Sequence, residues 1–261
     1  MNTFATKKSL QTIVETFRKP WQLFMYHPIK FEIADVNPAT KTTVHSRNIN
    51  VFDEFARKYQ LINNLPVTIA DQCYTKPVTG YLQSKNVDFT LNTKQAYFCV
   101  MNEIQKFKAQ NNMLPELPAG YTYGSPNTSN EADLIFRSNI NKSIHGVDFM
   151  RQKLQRFPSL CIRKDGKLAG FISTEIDGAL AHLLVFQEHR GQNLGEKLEA
   201  GVAKMALNAG ITPTKFIETS NEFYLEKTRK AKNMDIVSLK EGKPVIFDYN
   251  VFNPPNFKIT Y

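Results

Sequence analysis

The chain is poor in cysteine, with 3 among 261 residues, and Cys73, Cys99 and Cys161 are too scattered for a disulfide framework or a thiolate zinc site. Such usage points to a reducing compartment. The 5 histidines, at positions 27, 45, 145, 182 and 189, show no ligand spacing either, so no metal is expected. No apolar run approaches the roughly 18 residues of a membrane span, and no membrane-embedded segment is expected. Nor is there an internal repeat of the kind that builds solenoids or propellers. Acidic residues are the minority charge, 24 against 33 Lys and Arg, for a net +9. The bases are nevertheless spread along the chain, with one small concentration at Lys227 to Lys232, which argues against a nucleic-acid face. A diffuse positive field suits a small anionic ligand instead. In the stretch Met1 to Phe24 a single acid, Glu15, stands beside Lys7, Lys8, Arg18 and Lys19. That balance fits a mitochondrial transit segment or a surface helix, and leaves a mitochondrial or a cytoplasmic location open.

With 42% hydrophobic and 22% charged residues, the chain can fill the core of one large or two small domains. Helical spacing runs over residues 9 to 24, broken by Pro20, and again over Val51 to Tyr59. Strand-like segments fall at Tyr26 to Val36, Val67 to Ala70 and Tyr97 to Val100, with a helix over Met101 to Gln110. This is an α/β unit in which nothing carries chemistry. The run from Leu114 to Ser129 is rich in Pro, Gly and Ser, the composition of a domain boundary or of a strand entering a new domain, and the boundary is placed near Leu117. Beyond it come helices at Glu131 to Arg137 and Val147 to Arg156, then strand Leu160 to Arg163. A two-residue turn at Asp165-Gly166 leads to strand Leu168 to Glu175, and a second turn at Asp177-Gly178 leads to a central strand from Ala179. A strand at Lys215 to Glu218, a helix from Asn221 to Lys232, and strands near Asp235 to Leu239 and Val245 to Phe252 complete the order.

The stretch from Ala179 to Gly210 organises the rest. Ala179 to Phe186 is apolar apart from His182, as a buried strand is. A polar corner, Gln187 to Gln192, precedes an amphipathic helix carrying Leu194, Leu198, Val202, Met205 and Ala206 on one face, with Gly210 as its stop. Arg190 and Gly191 in the corner and Gly195 in the first helical turn fit an anion site built on free backbone N–H groups. An ordinary strand-to-helix connection has the same outline.

Arg190-Gly191-Gln192-Asn193-Leu194-Gly195 resembles the pyrophosphate loop of the GNAT acyltransferase superfamily, written Q/R-x-x-G-x-G/A. Asn193 replaces the middle glycine, and Asn tolerates positive φ better than most residues. From about Leu117 onward the chain is similar to the glycine N-acyltransferase branch of that superfamily, on Phe157-Pro158-Ser159, Asp165-Gly166-Lys167, Glu188-His189-Arg190 and Ser220-Asn221-Glu222. The resemblance implies an α/β (α+β GNAT) fold, a mixed, mostly antiparallel sheet flanked by helices. It divides the chain into residues 1–116, a degenerate relative of the catalytic domain, and residues 117–261, the acyl-CoA-binding domain. It also implies acyl-CoA as co-substrate, lying where the fourth and fifth strands splay. The backbone of Leu183 and Val185 would then meet the pantetheine, and Arg190, Gly191, Gln192, Asn193, Leu194 and Gly195 the pyrophosphate. Asn221 matches a position that approaches coenzyme A, and is equally a plain helix N-cap.

Acyl transfer to an amine requires a base. The resemblance implies a glutamate directly after the glycine that opens the central strand, where this chain has Ala179. It implies a tyrosine acid near Thr228, with Tyr224 one turn earlier. A two-residue Asp177-Gly178 loop would pair Ile176 with Ala179, Glu175 with Leu180 and Ser173 with His182. Alternation then puts Ser173, Glu175, Leu180 and His182 on one face, with Glu175 and His182 diagonal neighbours roughly 7 Å apart. A carboxylate that orients an imidazole builds a base; a satisfied core histidine is the other reading of the same pair. The leading expectation is an acyl-CoA-dependent N-acyltransferase acting on glycine or another small amino acid. A catalytically weak acyl-CoA-binding protein and an acetyltransferase for another amine are the alternatives.

Overall fold

The computed structural model describes residues 41–42, 67–71, 75–84, 86–138, 146–175, 178–238 and 242–253. The expected helices at 9–24 and 51–59, the strand at 26–36, and Ile176 and Asp177 of the second turn lie outside these residues.

In chain order the elements are β1 (Lys41–Thr42), β2 (Val67–Asp71), α1 (Thr75–Ser84), β3 (Thr90–Val100), α2 (Glu103–Asn111), β4 (Tyr121–Gly124), α3 (Ala132–Arg137), α4 (Gly146–Arg156), β5 (Ser159–Lys164), β6 (Lys167–Thr174), β7 (Leu180–Val185), α5 (Leu194–Asn208), β8 (Thr214–Glu218), α6 (Glu222–Ala231), β9 (Asp235–Ile236) and β10 (Ile246–Asn253). Every element expected from Val67 onward is present, and the bounds agree within a few residues except that β3 begins at Thr90 rather than Tyr97. α1 was not anticipated, and β4 lies in the Pro- and Gly-rich run read as a boundary or as a strand entering a new domain.

Two sheets form among the described residues. One has the order β4-β5-β6-β7, all antiparallel. The other runs β1-β2-β10-β3-β8, with β9 also on β3. Strand β3, on the amino-terminal side of residue 117, is hydrogen-bonded to β8 and β10 on the carboxyl-terminal side, so this sheet crosses that position. The Asp165-Gly166 turn closes Lys164 onto Lys167 with φ of 50° and 80°, as a primed two-residue hairpin requires.

Helix α5 packs its Leu194, Leu198, Val202 and Ala203 against Leu160, Ile162, Ile172 and Leu180 of one sheet and Cys99 and Ile217 of the other. These residues are at most 6% exposed, and each large aliphatic side chain so buried contributes about 1.5–3 kcal/mol. A second apolar layer, Ala132, Ile135, Met150 and Leu154 from α3 and α4 against Cys161 and Phe171, covers the opposite face of β5 and β6. Helix α5 ends where Gly210 turns to φ 74° and Ile211 N–H closes on the Ala206 carbonyl at 2.8 Å.

β6 and β7 approach closely at Gly170. A Cβ there would stand 2.8 Å from the Leu184 carbonyl oxygen and 3.3 Å from Val185 Cα, and backbone atoms cannot yield as side-chain tips do. Gly170→Ala is expected to destabilise the fold by about 1–3 kcal/mol through overpacking. An unchanged urea midpoint would mean that β7 does not press on β6 in this way.

Candidate acyl-CoA site

The two sheets meet through the parallel bridge Ala179↔Thr214, after which β7 and β8 have no further ladder pairing among the described residues. From that junction one edge of β7 is open. The Phe186 N–H bonds to the Ala169 carbonyl at 3.0 Å, so by alternation Phe186 and Leu184 direct their peptide groups towards β6. Leu183 and Val185 direct theirs to the open edge. These are the two residues whose backbone the sequence resemblance places on pantetheine. The Val185 carbonyl already accepts from Arg190 Nε at 3.1 Å, which leaves its N–H for a ligand amide.

At the far end of that edge, Gln187–His189 forms one 3₁₀ turn and the chain enters α5 through Gly191 at φ 82° and Asn193 at φ 55°. Asn193 is left-handed, as its substitution for glycine anticipated. Its side chain makes no capping hydrogen bond, so the first-turn N–H groups of Leu194, Gly195 and Glu196 are not satisfied from the N-cap. They sit at the positive end of the helix dipole. A Cβ on Gly195 would meet only Leu183 Cδ2 at 3.7 Å and Val185 Cγ2 at 3.9 Å. The protein itself does not require glycine there, and the space a side chain would fill adjoins the open edge of β7. Tyr121 fastens the corner: its hydroxyl accepts from Gln192 Nε2 at 2.9 Å and shares a hydrogen bond of 3.0 Å with His189 Nδ1. Gln192 thus holds the loop through its side chain. Asn221 is the N-cap of α6, its Oδ1 accepting from Tyr224 N–H at 3.1 Å, which leaves its amide nitrogen for other partners.

The hairpin register differs from the expected one. Thr174 pairs with Leu180 and Ser173 with Ala181, whereas Phe171 pairs with Leu184 and Gly170 with Val185. His182 and Leu183 therefore oppose Ile172 alone, a β-bulge, and His182 takes φ 56° to make it. The extra residue shifts the strand by one position near the turn, so Glu175 does not pair with Leu180 nor Ser173 with His182. The side chains still converge, because the bulge re-aims His182. Its Nε2 is hydrogen-bonded to Glu175 Oε1. Glu175 N–H also bonds to the Ala179 carbonyl at 2.7 Å, which sets its backbone across the turn from the position where the resemblance implies a glutamate.

A third member was missed. Lys153 Nζ lies 3.0 Å from the same Glu175 oxygen, with its side chain only 2% exposed. Its signal was present in α4, where Lys153 interrupts the buried stripe of Met150 and Leu154. The ammonium and the imidazole thus share one carboxylate oxygen.

A second buried polar group lies beneath α5. Glu199 receives Lys215 Nζ at 2.5 Å, the Tyr224 hydroxyl and Asn233 Nδ2 at 3.2 Å. Burial, then the Glu199 charge, hold the Tyr224 phenol well above its usual range. Its proton is directed to Glu199, and Thr228, near the position implied for the acid, is buried. Burial likewise raises the thiols of Cys99 and Cys161 to about 11, which leaves both protonated near neutrality and unsuited to nucleophilic catalysis. Among the described residues no three His, Cys, Asp or Glu side chains gather as a metal site, and no helix is long and apolar enough to cross a membrane.

Residues 128–226 match the family model described as an Acetyltransferase (GNAT) domain. No curated protein matches the sequence. Among solved structures, a Drosophila protein determined as a structural-genomics target is 19% identical with a TM-score of 0.59, the match covering 73% of this chain and 62% of that one. A GCN5-related N-acetyltransferase from Kribbella flavida is 15% identical, covering 84% and 79%, at a TM-score of 0.45. A tandem GNAT protein from the clavulanic acid biosynthesis pathway is 12% identical, covering 84% and 77%, also at 0.45. At such identities the likeness concerns the fold, which is the α+β GNAT fold.

Proposed function

We propose that this chain, with its GNAT acetyltransferase domain at residues 128–226, transfers an acyl group from acyl-CoA to the amine of glycine or another small amino acid. The observation that carries the donor half is the open edge of β7 running into an uncapped helix N-terminus at Gly195. Leu183 and Val185 offer peptide groups to the pantetheine amides as an added strand would. Leu194, Gly195 and Glu196 offer N–H groups to the pyrophosphate, with Arg190 beside them. The amino-acid acceptor rests on the resemblance of residues 157–222 to the glycine N-acyltransferase branch.

In this reading His182 takes the proton of the attacking ammonium, and Glu175 orients its ring and stabilises the imidazolium that forms. The nitrogen then attacks the thioester carbonyl, the C–S bond breaks, the departing sulfur takes a proton from solvent or the imidazolium, and the new amide nitrogen releases its remaining surplus proton to solvent. Ala179 favours a second reading, an acyl-CoA-binding protein of low turnover, because that residue is buried at the strand junction and carries no base.

Thiol release over a matrix of acyl-CoAs and amines, with acceptor-free hydrolysis subtracted, separates the two. Acceptor-dependent release is expected for a transferase, and tight binding without release for the alternative. Gly195→Leu, which fits against Leu183 and Val185 but fills the donor path, is expected to weaken CoA binding about tenfold or more, at least ~1.4 kcal/mol. Unchanged affinity by calorimetry in a folded variant would remove the loop from the site.

A further inference from the structure

Lysine is almost never fully buried unless it is paired, and Lys153 is buried on α4. Its Nζ lies 3.0 Å from Glu175 Oε1, the same oxygen that His182 Nε2 meets from the β7 bulge. Three ionisable groups from different elements thus converge on one oxygen. Their exposure is graded: the side chain of Lys153 is 2% exposed, and those of Glu175 and His182 are 16% and 18%. Lys153 is the innermost of the three, so it acts on a substrate at His182 through its charge rather than by touching it.

We infer that Lys153 determines the class of acceptor: an amine whose other end is anionic, as in an α-amino acid, in preference to one whose other end is a second ammonium. This rests on the transferase reading in which His182 takes the proton. While the imidazole is neutral, the charges of Lys153 and Glu175 cancel. Once His182 holds the proton, the lysine and the imidazolium outweigh the single carboxylate, and the three groups carry one net positive charge. The reacting nitrogen loses its own charge in that step, so what remains on the acceptor is the charge of its other end. A carboxylate there is attracted to the trio and an ammonium is repelled. Groups this little exposed are screened weakly by salt and water, so the difference persists. The interaction arises as the proton moves, and it therefore discriminates in the transition state rather than in the resting complex. Without Lys153 the trio would be neutral at the same stage. The preference would then vanish, and the His182–Glu175 pair would serve either kind of amine.

The test compares kcat/KM for three acceptors at a saturating concentration of the acyl-CoA that gives most thiol release: glycine or whichever α-amino acid is acylated best, its carboxamide, and putrescine. The chains are the wild type, Lys153→Met, Glu175→Gln and the double variant. At the stage where His182 is protonated, their trios carry one net positive charge, none, two and one, in that order. The ratio of amino acid to putrescine is expected to fall about 10- to 100-fold in Lys153→Met, to rise in Glu175→Gln, and to return towards the wild-type value in the double variant, even though turnover drops wherever Glu175 is replaced. The carboxamide, neutral at its other end, is expected to shift by an intermediate amount. Lys153→Arg, which keeps the charge, is expected to keep the ratio. A lysine needed only for folding would lower all three rates alike, so a ratio that is constant across the chains, or a wild-type preference for putrescine, would overturn the inference and leave the transferase reading standing. Should circular dichroism show that Lys153→Met does not fold, Glu175→Gln against the double variant gives the same comparison with no carboxylate stranded. Failure of the wild-type chain to acylate any amine would overturn both.

Discussion

Glu199→Leu is expected to lower the stability of the fold by about 3–5 kcal/mol, because it leaves the Lys215 ammonium buried without its counter-charge. The side chains of Lys215 and Glu199 are 3% and 6% exposed, too little for water to take over the solvation. The Tyr224 hydroxyl loses its acceptor in the same step, which adds the cost of a stranded donor. Replacing both partners, Glu199→Leu with Lys215→Met, is expected to recover most of the loss, since apolar groups of similar volume need no pairing. Denaturant unfolding of the two single variants and the double variant measures this as a coupling energy. Additive losses would show that the pair is solvated in solution and that α5 is not tied to β8 and α6 by charge.

His182→Asn is expected to lower turnover by ~10²–10⁴ with the best acceptor, as loss of general-base catalysis does, while acyl-CoA affinity stays within about threefold. Asn is the informative substitute because position 182 is left-handed, and Asn, like His, adopts that backbone more readily than other residues. His182→Gln would mix the loss of the base with strain in the bulge. Glu175→Gln should lower turnover less, since the imidazole would keep a hydrogen-bond partner but lose the charge that stabilises the imidazolium formed during transfer. Restoring a carboxylate by Ala179→Glu in the His182→Asn background tests whether the two positions reach the same reacting amine. Wild-type turnover in His182→Asn at pH 7 would make His182 a structural residue that serves the bulge alone.

The Glu175–His182 contact shows how far alternation carries and where it stops. Period-two reasoning put both residues on one face and near each other, and they do meet. It did so through a register that the bulge at His182 alters, since one extra residue in a strand leaves no mark in hydrophobic spacing. Lys153 and Glu199 were missed for a related reason. A charge inside an apolar stripe is visible in the sequence, but its partner lies on another element and cannot be named without the packing.

What the sequence by itself determined is local. Apolar spacing placed β5 to β8, α4 and α5; Asp165-Gly166 set the primed turn; Asn193 and Gly210 set how α5 begins and ends. Each depends on a few consecutive residues, whose φ preferences and side-chain periodicity act without help from the rest of the chain. The tertiary structure alone decided what is joined across distance. It paired β3 with β8 and β10 across residue 117, closed β7 onto β8 at one bridge so that an edge was left open, and brought Lys153 to Glu175 and Lys215 to Glu199. Those outcomes follow from burying two sheet faces on one helix at once, a condition on the summed packing of many elements that no single stretch of sequence encodes.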